Sequence, residues 1–293
     1  MQIIDMKLAE LKPVDKFLLS FPLRPGLYQE LKEKFAHLPS IIVNQENEIV
    51  FGIDYYRWLE SRRITETTVL QVNILEKDAL ILNYNLKEKF TGLNLYEKLV
   101  FVKKVLPLAG EAEIYQKTGL DITLDAELGE KLDLLLSTGF RDALMNEQIS
   151  LKSGLKLCDF PPGDIDVLLE LFGRVLFSNS HQLKILEITE EILFRDKCGL
   201  EDVFEKLGIW QYLDMEKPQK KIIDELFKYR YPTYIEAEEK WQVEIKNLRL
   251  PDKIKVTHYP FFEKKQMELT IQLQDAGELK KILEKLEDRR IGQ

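Results

Sequence analysis

The sequence predicts an α+β fold in three parts, and three observations predict it. Up to about residue 105, short β-branched runs alternate with amphipathic stretches. From there to about residue 214, apolar residues recur at helical spacing between short breaks such as Gly119, Gly139 and Pro161-Pro162-Gly163. Beyond Asp214-Met-Glu-Lys-Pro-Gln-Lys220, a polar, Pro-containing junction, two helical stretches precede two alternating runs. The expected domains are therefore an α/β domain over 1–105, an all-helical domain over 106–214 and a small α+β module over 215–293.

In the first part, Ser40-Ile-Ile-Val-Asn44 and Ile49-Val-Phe-Gly52 flank the polar turn Gln45-Glu-Asn-Glu48, the pattern of a hairpin. Tyr55, Trp58 and Leu59 at i, i+3, i+4 predict a helix over 55–63. Thr67 to Ile74 is rich in β-formers and predicts a third strand. Lys77 to Tyr84 predicts a helix. Asn94 with Glu97 three residues on predicts a capped helix start. Helices are then expected over 94–106, 111–118, 124–137, 140–146, 150–158, 163–176, 181–195 and 200–207. The last part predicts helices near 220–229, 233–248 and 276–288, with strands at 253–258 and 267–273. Phe17, Phe21, Tyr28 and Phe35 fall at near-helical spacing and predict core rather than a stacking platform. Tyr259-Pro-Phe-Phe262 is expected as an aromatic loop, in the core or at an interface.

Composition narrows the function. Apolar residues make up 45% and charged residues 31% of 293, the balance of a globular chain. No apolar run reaches the roughly 18–20 residues of a membrane span, and the first residues lack a signal-peptide pattern, so a cytoplasmic location is expected. Cys158 and Cys198 are distant and match no metal-ligand spacing; His37, His181 and His258 have no local partner. No metal site and no Cys–His nucleophile are expected. A net charge of −8 means that any phosphate contact must come from clustered lysines.

Three stretches, taken in order, resemble the ParB family of partition proteins. The strand and glycine of Ile49-Val-Phe-Gly52, followed by Ile53-Asp-Tyr-Tyr-Arg57-Trp-Leu, resemble the ParB box. Asn85-Leu86-Lys87-Glu-Lys89 and then Leu93-Asn94-Leu-Tyr-Glu97 resemble the family's second segment. Leu134 to Leu144 and Gln148-Ile-Ser-Leu151 resemble helices that follow its helix-turn-helix. The resemblance covers roughly residues 3 to 207. It implies a ParB/sulfiredoxin-like N-terminal domain, a helix-turn-helix-derived middle domain, and a nucleotide site for CTP and Mg2+.

At that site the resemblance carries over only in part. Gly52, Arg57 and Asn85 match and are the candidate cofactor-binding residues. Glycine admits close phosphate approach, and arginine neutralises it with a forked donor. Ile53, Asp54 and Tyr55 replace the family's Glu and two Arg, and Tyr84 replaces an acid. Asp54 repels a triphosphate. The nucleotide switch is thus expected to be weakened or lost, with no catalytic residue. A branch of the same fold phosphorylates free serine; Asp54 and Glu48 are the only acids near Gly52 for such a reaction, and no His lies in the turn.

For duplex binding, helices 111–118 and 124–137 are the helix-turn-helix candidates, although residues 121–137 carry five acids and one lysine. The candidate DNA-binding lysines are Lys87, Lys89, Lys98, Lys103 and Lys104, with Lys152 and Lys156 on a later helix. Another basic group, Lys217, Lys220, Lys221, Lys228 and Arg230, opens the last module. The expected function is a non-enzymatic, ParB-like, partition-type DNA-binding protein with a partition-type protein partner, self-associating through 215–293. The alternatives are a protein-interaction adaptor on a ParB scaffold and a nucleotide-dependent serine kinase.

Overall fold

The structure is a computed structural model that describes residues 1–19 and 41–273. The chain divides into two compact units, the first over Met1–Ile223 and the second from Asp224 onward.

The first unit starts with a mixed sheet. Strand β1 (Gln2–Lys7) pairs antiparallel with β4 (Glu66–Gln71), placing Ile4 opposite Val69 and Met6 opposite Thr67. Strands β2 (Ile42–Val43) and β3 (Ile49–Phe51) form the expected hairpin, and β2 runs parallel to β4. The order is β1-β4-β2-β3. Strand β1 was not predicted, although Ile4-Asp5-Met6-Lys7 alternates apolar and charged residues. Val43, Val69, Ile41 and Ile49 are buried with Met6, Leu11, Ile53 and Leu59 in one core. Phe17 is buried as expected. Phe21, Tyr28, Phe35, His37 and the helix expected over 276–288 lie outside the described residues.

Helix α1 (Ile53–Ser61) links β3 to β4. Helix α2 runs over Glu76–Thr91, well past the expected end at Tyr84. The reason is local: no breaker interrupts the chain until Gly92, whose φ of 67° only glycine adopts readily. The stretch Asn85 to Lys89 is therefore helix interior and not a loop after a helix. Helix α3 (Leu95–Val105) begins with a complete capping box: the Glu97 N–H donates to Asn94 Oδ1 at 2.9 Å, and the Asn94 N–H donates to Glu97 Oε2 at 3.0 Å.

Seven helices follow: α4 (Glu111–Thr118), α5 (Ala126–Leu135), α6 (Thr138–Met145), α7 (Leu151–Leu157), α8 (Pro162–Arg174), α9 (Asn179–Asp196) and α10 (Leu200–Leu207). Each matches its expected helix within about two residues, the usual scatter at fraying ends. Helix α11 (Pro218–Arg230) contains the boundary between the units. In the second unit, α12 (Pro232–Asn247) precedes the antiparallel hairpin of β5 (Ile254–His258) and β6 (Met267–Ile271). Among the described residues, no helix is long and apolar enough to cross a membrane.

Candidate functional site

The glycine turn is built where β3 ends. Gly52 takes φ 90° and ψ 23°, a left-handed conformation that a side chain would strain, and it caps α1. Ile53 and Leu59 anchor α1 in the core. Tyr55 and Trp58 stack at 5.7 Å and pack against that core, with the Arg62 guanidinium 5.7 Å from the Trp58 ring.

Arg57 lies on the exposed side of α1. The Asn85 amide donates to the Lys117 carbonyl at 3.0 Å, near the end of α4. The side chain that α2 does deliver to the glycine turn is Lys87. Its Nζ lies 3.6 Å from Asp54 Oδ2, and its side chain is only 6% exposed. Tyr84, one turn before it, is buried and packs on Phe101 at 4.3 Å, and burial raises its hydroxyl above the usual phenol range.

Glu48 is held in the same manner. Asn44 Oδ1 accepts from the Glu46 and Glu48 N–H groups at 3.1 and 2.8 Å, and Asn44 Nδ2 donates to Glu48 Oε2 at 2.7 Å. Lys16 Nζ pairs with that same oxygen at 2.6 Å and pulls the Glu48 carboxyl below its ordinary range. Both acids beside the glycine turn thus carry a lysine partner.

The remaining candidate lysines are largely engaged within the chain. Lys98 pairs with Asp121 at 3.2 Å and Glu88 at 3.4 Å; burial works against its charge, but the two acids prevail and hold it above the usual lysine range. Lys103 pairs with Asp133 at 2.6 Å and Lys156 with Glu190 at 2.6 Å. Lys104 donates to the Asp15 carbonyl and, at 2.7 Å, to the Leu18 carbonyl, and burial lowers its affinity for the proton. Lys89, 5.6 Å from the Phe90 ring, and Lys152 are exposed.

Helices α4 and α5, the helix-turn-helix candidates, are joined by a loop in which Leu120, Ile122 and Leu124 are buried. The Tyr115 hydroxyl fastens this loop, donating to the Ile122 carbonyl at 3.0 Å and accepting from the Leu124 N–H at 2.7 Å. Leu128, Leu132 and Leu135 turn inward, which leaves Glu127, Glu130 and Asp133 outward. Lys131 bridges Glu127 at 3.0 Å and Asp159 at 2.8 Å.

Sequence reasoning missed the Lys87–Asp54 pair. The only signal was an acid at a family cation position and a lysine about thirty residues on. Cys158 is half-buried, and burial pushes its thiol up to about 11, away from reactivity. Among the described residues, no group of three His, Cys, Asp or Glu side chains could hold a metal ion.

No protein-family model matches the chain, and no curated protein matches it. Among solved structures, the chain is similar to one described as "Structure of the C2221 form of Pnob8-like ParB-N domain". The TM-score is 0.40 and the identity 16%, over 76% of this chain and 93% of that one.

Proposed function

We propose that this chain is a non-enzymatic adaptor on a ParB-like scaffold, acting through protein contacts, without a nucleotide switch, and self-associating through its second unit. The observation that carries the reading is the Lys87–Asp54 pair. A phosphate at the glycine turn would need free cations beside it; Lys87 already faces a carboxylate, and Arg57 lies on the exposed side of α1. The lysine partners of Glu48 and Asp54 support the non-enzymatic reading over the serine kinase, which needs a carboxylate free to act beside its nucleotide.

The pairing of Lys98, Lys103 and Lys156 with acids supports the adaptor over the partition-type DNA-binding reading. Duplex binding gains affinity by displacing counterions with several free cations, and each of these lysines would first have to leave a carboxylate. The acidic outward side of α5 supports the same choice.

Self-association is supported by β6. Met267 is 61% and Leu269 53% exposed, and they share one side of the hairpin with Ile271. Among the described residues, the hairpin has two strands, fewer than an independent sheet requires. A second copy of β6, antiparallel about Leu269, sets Met267 opposite Ile271 and Glu268 opposite Thr270, with no like charges opposed. Centring on Glu268 would oppose two carboxylates.

Sedimentation of the intact chain, with and without a mixed-sequence duplex at roughly 50 mM salt, tests the reading. A dimer that ignores the duplex is expected, and Leu269→Glu should give a monomer. Duplex binding that weakens with salt would overturn the adaptor in favour of the DNA-binding reading.

A further inference from the structure

The turn between β5 and β6 is strained and is held by one histidine. Phe261 and Phe262 both adopt positive φ, 53° and 54°, a conformation that bulky side chains resist. Packing offsets the strain: Phe261 lies 4.9 Å from Tyr234 and 5.3 Å from Tyr231 by ring centres, and Phe262 stacks on the His258 ring at 3.8 Å and 12°. Trp241 lies beside that imidazole, its ring nearly perpendicular at 5.4 Å.

Both nitrogens of His258 face oxygen. Nδ1 is 2.7 Å from the Tyr259 carbonyl, and Nε2 is 2.6 Å from Glu238 Oε2 on α12. A carbonyl cannot donate, and neither can an ionised carboxylate. Donating to both oxygens at once takes a proton on each ring nitrogen, the imidazolium form. The Glu238 carboxylate accepts from Gln242 at 2.7 Å through its other oxygen, and these bonds, Gln242 first and then His258, hold its carboxyl below the ordinary range.

We propose that His258 is a pH-operated latch: as the imidazolium it ties the strained Tyr259–Phe262 turn to α12 through Glu238, and loss of one ring proton to solvent releases that turn. The neutral ring has one donor for two acceptors. Whichever nitrogen keeps its proton, the other presents a lone pair to an oxygen less than about 3 Å away. The latch is complete while both ring nitrogens carry a proton, and it opens when either proton is lost.

The groups facing the ring fit this direction. Glu238 is the charged group presented by α12, and Met267 is the uncharged register partner on β6. Tyr234 reaches the Glu238 carboxylate at 3.5 Å rather than the ring, and Lys264 lies over Tyr259 at 4.4 Å. The latch rests on a different observation from the proposed function and stands or falls separately.

Ring nitrogen NMR on the intact chain, combined with amide exchange from about pH 5.5 to about pH 8.5, tests it. Both His258 nitrogens should be protonated at the acid end. The amides of Phe262 and Glu263, bonded to the Tyr259 and Pro260 carbonyls, report the turn. Their protection factors, which divide out intrinsic exchange, should fall about tenfold across the range, the scale of one charge-assisted hydrogen bond. Glu238→Gln keeps an acceptor without its charge and should move the loss to lower pH. His258→Gln should make protection independent of pH. A single ring proton at the acid end, or unchanged protection in the native chain, would overturn the latch. So would a native pH profile in either variant.

Discussion

The two sheets solve the same problem differently. In the first unit, β2 and β4 lie inside a four-stranded sheet, and Val43 and Val69 are completely buried under side chains of that unit. In the second, β6 belongs to a two-stranded hairpin and leaves Met267 and Leu269 more than half exposed. Charge follows the same division. The lysines around the first unit's glycine turn are matched by acids of that unit, whereas the second unit holds a strained turn by a single histidine. The first unit's central strands are covered, whereas the described hairpin of the second leaves one strand side open. The proposed function by contact draws on the paired exposure of Met267 and Leu269 on one side of β6.

Replacing core residues should give the largest effects and confine them to the first unit. Phe101→Ala removes the ring packed on Tyr84 and should cost about 3–5 kcal/mol in urea unfolding. Leu269→Ala, at an exposed position, should leave the first unit's transition unchanged while weakening the proposed dimer. Equal losses from both would erase the contrast.

Lys104→Met should cost about 1–3 kcal/mol, because the Asp15 and Leu18 carbonyls lose their donor. Thermal unfolding measures this, and a neutral result would mean that solvent replaces the amine. Lys87→Met should cost about 1 kcal/mol. The lysine is buried, but Asp54 is about a third exposed and water can solvate it once freed.

The smallest effect is electrostatic. Lys117 and Lys77 bridge Glu113 from α4 and α2 and draw its carboxyl down to about 2 from an ordinary 4.5. A depressed carboxyl contributes stability above its unfolded value and loses it as pH falls through the folded one. The contribution should fade between about 4.5 and about 2, and carbon NMR of the Glu113 carboxyl should show it still ionised at a pH between those values. A carboxyl titrating at its ordinary value would show the bridge to be screened away.

Much of the secondary structure was legible because spacing and punctuation are local. Asn94 and Glu97 are three residues apart, and both capping bonds form. Strand β1 was missed although Ile4-Asp5-Met6-Lys7 alternates; the run is short, and its partner β4 lies roughly sixty residues away. The end of α2 was misjudged because Asn85 to Lys89 was read as a separate segment, although no breaker precedes Gly92. At the site, the sequence identified the missing cations but not the replacement. Lys87 reads as one of several surface lysines until α2 continues far enough to bring it to Asp54. His258 was likewise without a partner in sequence, because Glu238 sits twenty residues earlier on another element.

Calorimetric titration of the intact chain with CTP, ATP and ADP, each with magnesium, tests the closed glycine turn most directly. With Lys87 paired to Asp54, no heat of binding is expected from any of the three. Micromolar binding of any one of them, lost on replacing Arg57 or Asn85 by alanine, would contradict the account.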